Sequence, residues 1–319
     1  MSQKHWSQIG ERGSLIGLRF LLGVYKVLGK YPLWVCLFPV VFYFYLTDKN
    51  GRSASKQFLK RVSEYQKNNK VTHNQVSVLK HYCTFADAAF DKLDAWLGNI
   101  GNNQIVYSCP DTMENIAQQG KGAIFIGSHL GNLEVCRAMN QDRYGTKINV
   151  LVFTQHAIKF NQLLKDVADD VDLNMIQVSS VGPDTAMLLK EKVEQGEIVV
   201  IVGDRTSQSV AGRVIYSPFL GLEAPFSQGP FILAALLECP IYWLFCFKEG
   251  RNFKVCIEHV TDKLKLPRKQ RQEVLSDLIA SYAGRLEYYA MKYPFQWFNF
   301  YDFWQRDNSA QRVSSKEDK

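Results

Sequence analysis

From residue 123 onward, short apolar runs alternate with longer amphipathic stretches. The apolar runs predict strands at 123–127, 148–153, 175–178, 198–203, 241–247 and 253–260. The amphipathic stretches predict helices at 133–141, 160–168, 183–195, 229–238 and 268–292. Strands that alternate with helices favour a parallel sheet, because each helix returns the chain to the same end of the sheet. We therefore predict an α/β fold with a mostly parallel central sheet and helices on both faces.

The pattern before residue 60 is different. Arg12, Arg19, Lys26 and Lys30 recur at intervals that place them on one stripe of a helix, and the rest of that helix is apolar. The uncharged run at 31–46 follows; as a helix it would be about 24 Å long, shorter than the ~30 Å hydrocarbon core of a bilayer. This pattern is typical of helices that lie in a membrane interface. An amphipathic helix packed on the domain is the alternative.

These patterns divide the chain into three predicted regions. Residues 1–60 form membrane-anchoring amphipathic and hydrophobic helices, residues 61–306 form the α/β domain, and residues 307–319 form a polar flexible tail. Within the second region, the spacing of apolar residues between 62 and 101 predicts a scaffold helix that precedes the sheet.

Charge and cysteine content narrow the class of protein. The net charge is +7, but residues 1–70 contain 12 Lys/Arg and 3 Asp/Glu, which leaves −2 for the remaining 249 residues. Nucleic-acid-binding proteins more often carry a basic stripe on the folded face, so we predict no nucleic-acid partner. Seven cysteines without a C-x-x-C pair indicate free thiols in a reducing compartment. No His and Cys spacing typical of a metal site occurs, so we predict no metal.

The segment 127–134, GSHLGNLE, lies between a predicted strand and a predicted helix. Active-site residues of α/β enzymes often lie at such turns. A carboxylate in the first turns of the helix could reach back to the imidazole and set its tautomer. We therefore interpret His129 as a general base and Glu134 as the acid that orients it. A loop histidine without a catalytic role is the alternative on this spacing alone.

The His-x4-Glu pattern of His129 and Glu134 resembles the motif of the lysophospholipid acyltransferase superfamily, and specifically its lipid A late acyltransferase branch. Other segments resemble that branch in the same order: Gly203-Asp204-Arg205, the block PFLGLEAPFSQGP at 218–230, and YPFQWFNFY at 293–301. The last block lacks the basic residues usual in the branch. A hydrophobic N-terminal segment is also part of the family pattern.

The resemblance implies a membrane-bound acyltransferase for groups other than aminoacyl groups. It would need no cofactor, since the donor is itself a substrate, an acyl-carrier-protein or coenzyme A thioester. The acceptor would be a hydroxyl of a lipid A-like or other envelope lipid, and the enzyme would lie at the cytoplasmic face of the cell inner membrane, anchored by its N-terminal segment. His129 would take the hydroxyl proton as the oxygen attacks the thioester carbonyl.

The resemblance also gives candidate substrate-binding residues. Backbone N–H groups near Gly131 and Asn132, or the Asn132 side chain, could stabilise the oxyanion. Asp204 and Arg205 follow a predicted strand, so we expect them at the same edge of the sheet as His129, where they could bind a phosphate or form a surface ion pair. Gln296, Trp297 and Asn299 could line the acyl or headgroup pocket; the aromatic run around them is otherwise a membrane-facing or core cluster. The candidates are Ser128, Gly131, Asn132, Asp204, Arg205, Phe219, Gly221, Gln296, Trp297 and Asn299.

Three alternatives to this function are open from the sequence. The same base could act with an unusual donor, a glycyl or aryl-polyene group on a dedicated carrier protein. A hydrolase could use His129 to activate water. A non-catalytic membrane adaptor could keep the fold. No G-x-S-x-G elbow, Walker motif, G-x-G-x-x-G or H-E-x-x-H sequence indicates another enzyme class.

Overall fold

A computed structural model of the chain describes residues 15–70, 76–133, 135, 145–153, 175–178, 182–205 and 214–304. The helices of these residues are α1 (Leu15–Leu28), α2 (Lys30–Thr47), α3 (Lys49–Asn68), α4 (Val78–Trp96), α5 (Pro110–Gln119), α6 (Pro183–Glu194), α7 (Gly229–Leu237) and α8 (Arg271–Lys292). The strands are β1 (Ile105–Tyr107), β2 (Ala123–Gly127), β3 (Ile148–Phe153), β4 (Met175–Val178), β5 (Ile198–Val202), β6 (Val214–Phe219), β7 (Leu222–Ser227), β8 (Ile241–Glu249) and β9 (Asn252–Thr261). The predicted helix at 160–168, the predicted tail at 307–319 and nearly all of the predicted helix at 133–141 lie outside these residues.

Seven strands form the central sheet in the order β1-β9-β8-β2-β5-β3-β4. The neighbours β8-β2, β2-β5, β5-β3 and β3-β4 are all parallel, and so is the pair β1-β9; only β8 and β9 are antiparallel to each other. The prediction of a mostly parallel α/β sheet is confirmed. Strand β2, which leads into the histidine motif, lies at the centre of the sheet.

Helices cover both faces of the sheet, as predicted. Successive side chains of a strand point to opposite faces: Ile124 and Ile126 of β2 pack with buried residues of α3, α6, α7 and α8, whereas Ala123 and Phe125 pack with residues of α1, α2, α4 and α5. Every residue of β2 is buried. Such a strand is a continuous apolar run, which is why its bounds could be read from the sequence.

Three elements were not predicted: β1, α5 and the hairpin of β6 and β7, which forms a separate two-stranded sheet. Pro218 and Pro225 interrupt the hairpin sequence, and proline is normally a signal against a strand. A two-stranded ribbon tolerates them because each strand has an edge that needs no ladder hydrogen bond. The hairpin packs on α8 through Ile215, Phe219 and Phe226.

The N-terminal region contains three helices. Gly29, with a φ of 78°, separates α1 from α2, and Asp48 caps the start of α3 through a hydrogen bond from the Gly51 N–H. Among the described residues, no helix is both long and apolar enough to span a bilayer. The predicted boundary at residue 60 lies inside α3, whose Phe58 and Val62 are buried in the main core.

Candidate active site

The register of β2 and β5 brings two sequence-distant residues together. The strands are parallel neighbours, and Gly127 pairs with Val202, the last residue of β5. His129 and Asp204 each lie two residues beyond those positions, so they meet at the C-terminal edge of the sheet. The Gly203 N–H extends the ladder by donating to the Gly127 carbonyl at 2.9 Å. The prediction that Asp204 lies at the same sheet edge as His129 is therefore confirmed.

The Asp204 carboxylate holds His129 through two hydrogen bonds. Its Oδ1 is 2.8 Å from His129 Nδ1, and its Oδ2 accepts the His129 backbone N–H, also at 2.8 Å. The Asp204 side chain is 1% exposed, whereas the His129 side chain is 33% exposed. The carboxylate is thus a buried support, and the imidazole is the part of the pair that a ligand can reach.

The contacts define the tautomer of His129. An ionised carboxylate can only accept, so the neutral imidazole carries its proton on Nδ1 and leaves Nε2 as the acceptor. Arg205 Nε lies 3.3 Å from the same Nδ1. Since Nδ1 is already a donor to Asp204, Arg205 acts on the ring through its charge. A neutral imidazole with a free Nε2 is the protonation state that a general base requires.

The electrostatic surroundings favour that protonation state. Burial among protein atoms and the Arg205 guanidinium lower the pKa of His129, Lys92 acts in the same direction, and the attraction of Asp204 does not reverse them. Burial alone would raise the pKa of Asp204, but His129, the hydrogen bonds from His129 and Trp297, and Arg205 together lower it. At neutral pH the pair is therefore a neutral imidazole beside a carboxylate anion.

The C-terminal segment completes the support. The Trp297 indole N–H donates to Asp204 Oδ2 at 2.9 Å, and Trp297 is fully buried. Its backbone pairs with Leu130 in an antiparallel bridge, and the Phe298 N–H donates to the His129 carbonyl at 3.1 Å. The sequence suggested a pocket-lining or core role for Trp297. In the structure it is a buried residue that supports His129 through its hydrogen bond to Asp204.

The backbone N–H groups of Gly131 and Asn132, which were predicted as oxyanion donors, already form hydrogen bonds within the protein. The Gly131 N–H donates to the Gln296 carbonyl and the Asn132 N–H to the Cys246 carbonyl, both at 2.8 Å. The Asn132 side-chain amide donates to the Ala88 carbonyl at 3.0 Å. The expectation that these backbone groups face an oxyanion is therefore wrong, because they tie the histidine loop to its neighbours.

Asp204 also differs from its expected role. A carboxylate that is 1% exposed and bonded to His129 and Trp297 has no face for a phosphate or a surface ion pair. Arg205 is partly buried, with its guanidinium 5.5 Å from the centre of the Tyr301 ring. Glu134, the predicted partner of His129, lies outside the described residues, so its role stays a prediction.

The remaining predicted residues divide between the core and the surface. Ser128, Phe219 and Asn299 are buried, and the Ser128 hydroxyl accepts the Leu130 N–H at 3.2 Å. The Gln296 amide forms two hydrogen bonds, each 2.9 Å long, with the Lys248 backbone. Gly221 lines a cavity of about 520 Å³ next to Arg61 and Trp304.

Two residues that support the site could not be identified from the sequence. Tyr282 of α8 donates its hydroxyl to the Gly127 carbonyl at 2.7 Å. His81 of α4 is fully buried, with Nε2 2.9 Å from the Trp297 carbonyl. Both lie in helical sequence with ordinary amphipathic spacing, where nothing distinguishes them from core residues.

No protein-family model matches the chain, and no curated protein sequence matches it significantly. In the described part of the chain, no cluster of His, Cys, Asp and Glu side chains is arranged to hold a metal ion. The fold and the geometry of the site define the chain as an α/β protein with a His–Asp pair at the C-terminal edge of a mostly parallel sheet.

We expect Gly131→Ala to lower the free energy of unfolding by more than about 2 kcal/mol. Gly131 has a φ of +86°, and a Cβ there would lie 1.8 Å from the Cys246 carbonyl oxygen. Gly284→Ala is the matched control: this exposed glycine of α8 has no atom within 4 Å of an added Cβ, so we expect a gain of about 0.5–1 kcal/mol. Urea denaturation measures both, and a Gly131→Ala protein as stable as the wild type would contradict the loop geometry.

Proposed function

We propose that the protein is a membrane-bound acyltransferase that moves an acyl group from a carrier-protein or coenzyme A thioester to a hydroxyl of an envelope lipid. The observation that carries the proposal is the His129–Asp204 pair: a partly exposed imidazole, neutral, with Nδ1 bonded to a buried carboxylate and Nε2 available as an acceptor. The order of the sequence blocks that resemble lipid A late acyltransferases supports the choice of acyl transfer.

In the proposed reaction, His129 Nε2 takes the proton of the acceptor hydroxyl as the oxygen attacks the thioester carbonyl. The tetrahedral intermediate then collapses, the C–S bond breaks, and the thiolate leaves with the proton returned by the imidazolium. Asp204 stabilises the imidazolium between these steps, as the buried carboxylate of a catalytic triad does. No covalent enzyme intermediate is required.

The negative charge of the intermediate must be stabilised by hydrogen-bond donors or cations. The backbone N–H groups of Gly131 and Asn132 do not do this, because they already donate to protein carbonyls. Arg205 and Lys92 are the cations whose charge bears on the His129 imidazole. Their positive potential at the imidazole favours an anionic intermediate and a phosphate-bearing substrate. We therefore assign the electrostatic part of the mechanism to these side chains.

The surface of α2 supports the membrane part of the proposal. Large apolar side chains along α2 are exposed, with Val35 at 76% and Tyr43 at 60%. The next helix, α3, carries exposed lysines, among them Lys49, Lys56 and Lys60. An apolar helix face followed by a basic one is suited to an anionic bilayer interface. We propose attachment at the cytoplasmic face of the inner membrane, where the free thiols of the described cysteines stay reduced.

We expect Phe38→Asp together with Phe42→Asp to weaken binding to anionic vesicles by about ten-fold or more, because two apolar rings are lost and two negative charges are added. The rings are 46% and 41% exposed, so the change should leave the core intact. Leu236→Asp on α7, exposed at 56%, is the matched control and should bind as the wild type does. Vesicle sedimentation measures the effect; equal binding by the double variant would place attachment elsewhere.

The function itself is tested by mass spectrometry of lipid extracts from cells that carry the wild type or His129→Ala. A lipid that is present only with the wild type identifies both the transferred group and the acceptor. The same experiment reveals an unusual donor, such as a glycyl or aryl-polyene group. Identical lipids, together with no transfer or hydrolysis in vitro from several carriers, would favour the membrane adaptor.

A further inference from the structure

A buried histidine outside the catalytic pair is connected to it by hydrogen bonds. His81 lies on α4, is fully buried and has two polar contacts: Nδ1 is 2.8 Å from Ser55 Oγ of α3, and Nε2 is 2.9 Å from the Trp297 carbonyl oxygen. Aromatic rings surround it, with the Phe300 ring centre at 4.7 Å and those of Phe58 and Phe298 slightly above 6 Å.

The partners determine how the hydrogen bonds run. A carbonyl oxygen can only accept, so His81 Nε2 carries the proton and donates to Trp297. Nδ1 is then the acceptor, and the Ser55 hydroxyl donates to it. Burial lowers the pKa of His81 to about 4, so this neutral arrangement persists at physiological pH. The Ser55 hydroxyl thus donates to His81, and His81 donates to the backbone carbonyl of Trp297.

The Trp297 carbonyl accepts a second hydrogen bond, from the Asn299 N–H at 2.7 Å. That bond lies within the same turn and moves with it. The bond from His81, in contrast, ties the turn to α4, a helix 216 residues away in sequence. Through its indole N–H the same Trp297 donates to Asp204 Oδ2. A chain of hydrogen bonds therefore connects Ser55, through His81 and Trp297, to the Asp204 carboxylate that holds His129.

We propose that His81 is a positioning residue for the catalytic pair, which acts by holding the turn at Trp297 so that the indole N–H stays aligned on Asp204. The proposal rests on the proposed role of His129 and Asp204 as the catalytic pair. Without the His81 bond, the indole would lose its alignment, Asp204 would lose a donor, and the imidazole would sample more orientations. A displacement of about 1 Å in a residue that supports a catalytic group can lower kcat by roughly ten-fold or more.

The test compares three variants at position 81. His81→Gln keeps an amide N–H that can donate to the Trp297 carbonyl, His81→Leu keeps the volume without a donor, and His81→Asn is polar but too short to reach Trp297. The matched control is His259→Gln, since His259 is exposed and bonded to Asp262. NMR of histidine- and tryptophan-labelled protein follows the His129 imidazole and the Trp297 indole N–H.

We expect His81→Leu and His81→Asn to change the His129 titration and to speed hydrogen exchange of the Trp297 indole, while His81→Gln and His259→Gln retain the wild-type signals. Transfer assays should show a loss of roughly ten-fold in kcat with little change in KM for the first two variants. Folded His81→Leu or His81→Asn with unchanged His129 and Trp297 signals would overturn the proposal. If Leu does not fold, Asn and Gln alone decide.

The NMR readout needs no acyl transfer, so it separates the two proposals. If no variant or wild type transfers an acyl group but the signals change as expected, the proposed function fails and the positioning role stands. If transfer occurs and His81→Asn leaves both signals unchanged, the function stands and the positioning role fails.

Discussion

Replacing His129 by alanine is expected to lower acyl transfer by about 10²- to 10⁴-fold while the protein stays folded and membrane-bound. The substitution removes the group that accepts the hydroxyl proton. It also leaves the Asp204 carboxylate with its hydrogen bonds from Trp297 and from the backbone N–H of residue 129. Those donors keep the buried anion partly satisfied, so the loss should appear in catalysis rather than in folding.

The measurement is the initial rate of transfer from a thioester donor to lipid, once the acceptor has been identified from lipid extracts. His259→Ala is the matched control, because it removes an exposed imidazole far from the sheet edge. Circular dichroism and vesicle sedimentation verify folding and attachment. A His129→Ala rate within a few fold of the wild type would exclude His129 as the base.

Asp204→Asn is expected to lower transfer by about 10³-fold or more, through a change of tautomer. The position of Oδ2 receives two donors, the Trp297 indole and the His129 backbone N–H, so the amide oxygen must occupy it. The NH₂ group then faces His129 Nδ1, which can only respond as an acceptor. The imidazole proton moves to Nε2, and the atom that should accept the substrate proton becomes a donor.

Glu134→Gln is the matched comparison, since it removes a charge from the other carboxylate assigned to His129. The geometry assigns the orienting role to Asp204, so the Asp204 variant should have the larger defect, and ¹⁵N NMR should detect the Nε2–H tautomer only there. A larger defect for Glu134→Gln with an unchanged tautomer in Asp204→Asn would instead support Glu134 as the residue that orients His129.

Much of the central sheet could be predicted from apolar runs alone. Strands β2, β3 and β4 have the predicted bounds, because each segment is mostly apolar and is flanked by polar or glycine residues. The placement of His129 and Asp204 at one edge of the sheet also followed, since both come directly after such runs. Local patterns were sufficient where apolar residues dominated a short segment.

The contact between His129 and Asp204 could not be predicted in the same way. It depends on β2 lying next to β5 with Gly127 opposite Val202, although β3 and β4 intervene in sequence. A motif with five-residue spacing pointed to Glu134, the nearest carboxylate in sequence. The contribution of His81 depends on a contact across 216 residues, and no local pattern encodes it.

The hydrogen bond between Trp297 and Asp204 has a consequence for the synthesis of the protein. Strands β2 and β5 can pair once residue 202 has left the ribosome, but Asp204 receives its third donor only when Trp297 has been made, 93 residues later. The nascent chain therefore carries an incomplete pair while the segment from Asp204 to Trp297 is made. The proposed activity therefore depends on a contact that can form only after the N-terminal helices have left the ribosome.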